Sequence, residues 1–387
     1  MKQSTHRILT THCGSLARPT ELLDVMKAKI NGEPYDADKY AAILRRSVAD
    51  TVSTQAECGI DIVADGEQSK PGFYTYVRER LTGFEKKDAP KAAWTQWSGE
   101  VAMFPEYYEQ YFSRRMMGGS ITARAPLVCT GPIAYRGQEA IRKDIENLKA
   151  ALVGLNVEEA FMPAVAPTGV GRNEYYRSEE EYLNAVGDAL REEYRAIVDA
   201  GLILQVDDPW LTEVHSQDPN VSPVERKKIA ETSVEALNHA IRGIPAEKIR
   251  FHTCYGINEG PRVHDAPLKE IVDLILKVNA AAYAFEAANA RHEHEYRVWE
   301  DVKLSEGKIL IPGVITHCSN IVEHPELIAE RIIRFAKLVG RERVIAGGDC
   351  GFSSQATYNP EVHPKIVWAK FHAMAEGAKL ASRQLWR

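Results

Sequence analysis

The sequence lacks the marks of a nucleic-acid, membrane or secreted protein. Lysine and arginine number 48 against 54 aspartates and glutamates, a formal net charge of -6. No basic run breaks that balance, which excludes an electrostatic footprint for a polyphosphate chain. No apolar stretch approaches the roughly 20 residues that a membrane-spanning helix needs. Met1 to Arg7 contain no apolar core of a signal peptide, so the chain reads as soluble and cytoplasmic. Cysteine is sparse, at 6 in 387 residues, which does not resemble a disulfide framework. In a reducing compartment, cysteines that accompany histidine point instead to metal binding or catalysis. No Gly-x-Gly-x-x-Gly follows the first strand, which argues against a doubly wound dinucleotide fold.

What the chain does contain is a repeated unit: an amphipathic helix, a turn, a short apolar strand, then a polar cluster. Leu44, Val48 and Val52 mark one helical face, and the strand ending at Ala64 runs into Asp65-Gly66-Glu67. Leu183, Val186, Leu190, Tyr194 and Ile197 mark another, followed by Gly201 and a strand ending in Asp207-Asp208-Pro209. Ser222-Pro223 opens a helix that leads to Ile249-Arg250-Phe251 and His252-Thr253-Cys254. Further strands end at Glu286, at Thr316-His317-Cys318 and at Asp349-Cys350. Strand-helix alternation with reactive strand ends predicts an α/β fold, a (β/α)8 TIM barrel. Nine strands are legible, one too many, and the doubtful pair are Ala125 to Thr130 and Val157 to Met162. Residues 68–124 break the rhythm and read as a long insertion after the second strand. The apolar fraction of 44% suits one large core, so residues 1–387 are expected to form a single catalytic barrel.

His252 and Cys254 stand at i and i+2, which on an extended strand point to one side. Cys350 ends a later strand, and Glu286 lies between them in strand order. Two thiolates and an imidazole make a soft donor set matched to zinc, with Glu286 filling the fourth position until a substrate displaces it. A His-x-Cys pair alone is a weak signal, since buried cysteines are common; three reactive strand ends together are a stronger one. Arg291-His292-Glu293-His294-Glu295 looks metal-like but reads as a solvated or loop segment. Cys13, Cys58, Cys129 and Cys318 read as packing or pocket-lining residues.

A thiol needs deprotonation to become a nucleophile, and a coordinated metal supplies it. Two thiolate ligands keep negative charge at the zinc, which favours alkyl transfer to sulfur over activation of water. Glu67, Asp207 and Asp208 offer carboxylates for an ammonium group or a proton relay, although Asp208 before Pro209 also suits a turn. His317 offers a general acid. Gly14-Ser15 offers backbone N–H groups for an anion, or is an ordinary turn.

The segments Thr11-His12-Cys13-Gly14-Ser15-Leu16, Asp65-Gly66-Glu67, Thr130-Gly131-Pro132, Gln205-Val206-Asp207-Asp208-Pro209, His252-Thr253-Cys254-Tyr255, Phe285-Glu286, Thr316-His317 and Asp349-Cys350-Gly351 occur in this order across nearly the whole chain. As an ordered set they resemble the catalytic barrel of the cobalamin-independent methionine synthase family and its short relatives, including epoxyalkane:coenzyme M transferase. The resemblance implies zinc on His252, Cys254, Glu286 and Cys350. It implies a substrate pocket using Ser15, Glu67 and Asp207, with His317 and Asp207 in catalytic roles, and it favours homocysteine or a similar amino-acid thiol as acceptor. Full-length synthases carry a second barrel that this chain has no length for. Ile133-Ala134-Tyr135-Arg136 stands where those synthases carry an aromatic Trp segment that looks like a folate-stacking element. The alkyl donor is therefore left open among a folate, an epoxide and a methylated corrinoid protein. An oligomer is compatible with all of this. The alternative readings are epoxide ring opening by a thiol, a metal-dependent hydrolase on the same barrel, and a metal-free barrel.

Overall fold

The computed structural model describes residues 1–86, 98–114, 119–122, 127–212, 221–256 and 259–387. Eight parallel strands carry the architecture: β1 (Leu9–Thr10), β2 (Ile62–Ala64), β3 (Glu159–Val165), β4 (Ile203–Asp207), β5 (Ile249–His252), β6 (Ala282–Phe285), β7 (Ile309–Ile315) and β8 (Ile345–Gly348). Each pairs with the next from β2 through to β8, and β8 pairs with β1. A parallel bridge from Thr11 to Ile62 closes the ring between β1 and β2. The architecture is the expected (β/α)8 barrel. Among the described residues no helix is long and apolar enough to cross a membrane.

The helices form where their sequences ask for them. Asp36 caps Ala37–Glu57 by accepting from the N–H groups of Asp38 and Lys39, and Leu44, Val48 and Val52 face inward. Ser178 caps Glu179–Asp199, whose Leu183, Val186, Leu190, Tyr194 and Ile197 are buried. Gly201 then takes a φ of 86°, a conformation that suits glycine and turns the chain into β4. Ser222 caps Pro223–Ala240 in the same way.

Of the doubtful strand pair, Glu159–Val165 belongs to the barrel and Leu127–Cys129 does not. The latter pairs antiparallel with Phe84–Lys86 and parallel with Arg172–Asn173 in a separate three-stranded sheet. The sequence cannot separate the two, because both are short apolar runs before a polar residue. Ala125, at the start of that expected strand, lies outside the described residues, as do 87–97, 115–118 and 123–124 of the 68–124 excursion. The described part of the excursion holds the helices Ser98–Met103 and Pro105–Arg114.

The core has two shells. Leu9, Ile62, Ala64, Phe161, Ile203, Ala282, Ala284, Ile309, Ile311 and Ile345 fill the barrel interior, with Met1 packed against them. The larger shell lies between strands and helices. Above the apolar interior sits a polar layer. The fully buried Arg250 of β5 donates to Thr11 Oγ1 (2.9 Å) and to His12 O (2.8 Å), and its guanidinium lies 4.0 Å from the Phe161 ring centre. Gln205 of β4 donates to Cys13 O (2.7 Å) and to Asp207 Oδ1 (2.7 Å). This layer fixes the loop after β1 to the ends of β4 and β5, and so forms the floor of the barrel mouth.

One close approach sets the height of the last strand. A Cβ on Gly313 of β7 would come within 2.0 Å of Asp349 Oδ1 and 2.8 Å of its backbone N and Cα. The β7–β8 register shifts at the same place, a local bulge of the kind common beside functional sites. Gly313→Ala is expected to lower unfolding stability in urea by about 1–3 kcal/mol through overpacking. Gly131→Ala, whose new Cβ would meet nothing nearer than 3.9 Å, should stay within about 0.5 kcal/mol of the parent.

Candidate metal centre and substrate pocket

Every candidate residue stands at a C-terminal strand end. His252 closes β5, and Cys254 follows two positions later. Cys350 lies two positions beyond β8, and the donor atoms of all three lie within 4.8 Å of one another, all buried. Cys350 Sγ donates to Cys254 Sγ at 3.0 Å. That hydrogen bond, helped by the adjacent His252, pulls the Cys254 thiol down to about 6 against the effect of burial.

The imidazole is oriented from below. β4 and β5 pair with Asp207 beside His252, and Asp207 Oδ1 lies 2.8 Å from His252 Nδ1. A proton on Nδ1 then faces a carboxylate, which leaves the Nε2 lone pair exposed. Nε2 is buried and has no hydrogen-bond partner. An orphaned buried nitrogen beside two thiols, backed by a carboxylate on the other ring nitrogen, is the arrangement a metal-ligating histidine needs. The donor set is soft and within reach of one ion at metal–ligand lengths of about 2.0–2.3 Å. His252, Cys254 and Cys350 therefore fit zinc on the grounds of this structure's own geometry.

Glu286 stands apart from this trio. Its carboxylate clusters with His317 and Asp349 and is gripped by Arg262, with 2.8 Å and 2.9 Å contacts to the two oxygens. Burial raises its pKa, but Arg262 and the neighbouring His317 outweigh this and hold it at about 2. Asp349 gives its oxygens to the backbone N–H groups of Ala287, Ala288 and Asn289, at 2.7, 2.8 and 2.9 Å. It thereby fixes the turn after Glu286 and, through the adjacent Cys350, ties that turn to the thiol pair. His317 Nε2 lies 2.9 Å from Gly256 O, so that nitrogen carries a proton. Burial disfavours charge on this ring, yet Cys318 and Glu286 beside it hold its pKa well above the ordinary value.

Glu67 has the strongest functional signature outside the trio. It is a non-glycine residue at a φ of 56°, and its Oε2 is buried with no partner. Strain together with an unpaired carboxylate persists where function requires it. Burial, reinforced by Asp207, raises its pKa to about 7, although Lys70 and Arg18 oppose the shift. A Cβ on Gly14 would lie 3.2 Å from Glu67 Oε1 and 2.6 Å from Pro163 Cγ, so the turn after β1 presses on this carboxylate. Ser15 is buried in the same turn, and its Oγ lies where a Cβ on Gly351 would go. The turn is internally satisfied at Gly14, which donates its N–H to His12 Nδ1 at 3.1 Å. That N–H is therefore not free for an anion. Asp208 has the turn role: its Oδ1 accepts from Leu211 N at 3.2 Å.

Two expectations change. The Arg291 to Glu295 segment is not a solvated stretch throughout. His292 is buried between Glu295 Oε2 (2.8 Å) and Asp265 Oδ2 (3.0 Å), its ring stacked 4.0 Å from that of Tyr255, while His294 stays exposed. Cys13 is more than packing: its Sγ donates to Gly348 O at 3.1 Å, and it helps hold the His252 pKa up against burial. The residues that sequence reasoning misses are Arg262, Asn289 and Lys70. Arg262 and Asn289 bind Glu286, and the buried Lys70 ammonium donates to Pro163 O beneath Glu67. Lone polar residues in loops carry no periodic signal by which to find them.

Known proteins share this architecture across their full length. The chain is 24% identical over 385 residues to a methionine synthase of Saccharolobus solfataricus, covering 98% of this chain and 96% of that protein. It is 23% identical over 382 residues to a methionine synthase of Thermococcus kodakarensis, covering 98% and 94%. A B12-independent methionine synthase from Shewanella, solved with selenomethionine, superposes with a TM-score of 0.72 at 18% identity over 98% of this chain and 99% of that one. A putative vitamin-B12-independent methionine synthase from Listeria monocytogenes superposes with a TM-score of 0.65 at 21% identity, over 96% and 98%. The model of the cobalamin-independent synthase catalytic domain matches residues 164–367, more than half of the chain, and this protein belongs to that family.

Proposed function

We propose that this chain is a zinc-dependent thiol S-methyltransferase that acts on homocysteine or a closely similar amino-acid thiol. The observation that carries the reading is the buried, unpartnered His252 Nε2 facing the Cys254–Cys350 pair. His252, Cys254 and Cys350 would hold the ion, with Glu286 the fourth donor expected at that site. A bound zinc would supply the charge that deprotonates the substrate thiol and keeps its sulfur nucleophilic.

The chain's own residues do the rest. Asp207 holds the His252 ring in the tautomer that leaves Nε2 free. Glu67, with Asp207 beside it, receives the amino group of the acceptor, which neutralises two carboxylates that burial otherwise disfavours. Ser15 closes the pocket next to Cys350. The sulfur forms a bond to the methyl carbon as the donor's bond to that carbon breaks, and the leaving group keeps the electron pair. His317 is placed to give that group a proton. The whole chain works as one catalytic barrel in this reading, and the 68–124 excursion shapes the donor side of the pocket.

Freshly purified protein should hold about one zinc per chain, and Cys254→Ser should lose both metal and methyl transfer; full activity of a metal-free protein would contradict the reading. Asp207→Asn keeps the shape but removes the carboxylate behind His252. It is expected to weaken zinc binding by about 10–100-fold in a chelator competition. Glu67→Gly releases the left-handed strain. It should raise stability by about 1 kcal/mol after the entropy cost of glycine, while KM for homocysteine rises by about 10-fold or more. A variant of Glu67 with unchanged KM would remove this residue from the substrate pocket.

A further inference from the structure

Resting on the zinc reading above, we propose that Arg262 is a positioning residue that withholds Glu286 from the metal, so that three protein ligands hold the ion and the fourth place stays open for the thiol. The hydrogen bonds of the carboxylate are the first ground. Oε1 accepts from Arg262 Nη2 (2.9 Å) and from Tyr255 N (2.8 Å), and Oε2 accepts from Arg262 Nη1 (2.8 Å) and from Asn289 Nδ2 (2.7 Å). An ionised carboxylate has about four lone-pair sites, and four donors occupy them here. No capacity is left for a metal bond unless one of these contacts breaks.

The second ground is that Arg262 is held as firmly as the group it holds. It is buried and sits at a φ of 56°, a left-handed backbone that arginine rarely adopts. Such a conformation persists only where the surroundings over-determine it. Those surroundings are continuous. Arg262 Nε lies 3.0 Å from Asp265 Oδ2, and the same oxygen lies 3.0 Å from His292 Nε2. His292 Nδ1 lies 2.8 Å from Glu295, and Glu295 accepts from Leu268 N, the first residue of the helix Leu268–Lys277. The guanidinium is thus anchored to a helix start on one side and forks onto Glu286 on the other. A planar fork against a carboxylate is the geometry arginine is suited to and lysine is not.

The third ground is the grouping of donors. The trio of His252, Cys254 and Cys350 closes on itself without Glu286, whose carboxylate lies with His317 and Asp349 instead. In this arrangement an incoming thiol fills an open place and has no protein ligand to displace.

The test is a double-mutant cycle read in zinc affinity, by competition of the apo-protein with a chromophoric chelator. Zinc binding by the parent establishes the underlying reading, and a parent that binds no zinc overturns that reading and this inference together. With Arg262 present, Glu286→Gln should leave zinc affinity within about 3-fold, because Glu286 is not a ligand; in energy that is below a tenfold effect of 1.4 kcal/mol. Arg262→Gln should tighten zinc at least about 10-fold by releasing Glu286 to the metal, and should weaken homocysteine binding to the zinc protein by a similar factor. In Arg262→Gln/Glu286→Gln the gain should vanish. A gain that survives in the double variant would be a plain charge effect and would overturn the inference. So would a tenfold loss of zinc affinity in Glu286→Gln alone, which needs no Arg262 variant to fold and leaves the zinc reading intact.

Discussion

The site depends on the hydrogen bond between Asp207 and His252. It is made across adjacent strands, at the last paired position of β4 and β5, and it decides which face of the imidazole is available. Without it, either ring nitrogen could carry the proton and the ring would be free to turn away from the thiols. With it, Nε2 is committed toward Cys254 and Cys350. The polar layer beneath has the same purpose. Gln205 fixes Asp207, and Arg250 fixes the loop after β1, so the carboxylate that orients the histidine is itself oriented.

The mouth of the barrel buries several carboxylates, and each meets burial in a different way. Asp349 is satisfied by three backbone N–H groups and becomes a structural tie. Glu286 is satisfied by Arg262, Asn289 and Tyr255 N and stays ionised. Asp207 is engaged by His252. Glu67 alone keeps a buried oxygen without a partner, in a strained backbone. Because an unpaired buried acid is unfavourable, that difference marks where a positively charged ligand group would gain most. The carboxylates that look interchangeable in the sequence are separated into roles by their neighbours.

Much of this arrangement is legible in the amino-acid order alone. The spacing of Leu44, Val48 and Val52 and of Leu183, Val186 and Leu190 specifies helices whose apolar faces are buried as expected. The i, i+2 spacing of His252 and Cys254 puts both on one side of a strand end, where Cys350 joins them. The strand after residue 124 is ambiguous, since a short apolar run does not say which sheet it enters. Arg262 is invisible for a different reason. Its importance comes from a fold-back of the loop between β5 and β6 onto Glu286, 24 residues away, and nothing local records that contact. The Asp207–His252 pair is hidden likewise, because register between strands, and not sequence spacing, makes the two neighbours.

The most direct measurement of the central claim is zinc-edge X-ray absorption on the purified protein, before and after homocysteine is added. The account predicts a first shell with two sulfurs and a nitrogen from the protein, and a third sulfur once the thiol is present. A zinc shell that gains no sulfur, while methyl transfer to homocysteine proceeds, would contradict it.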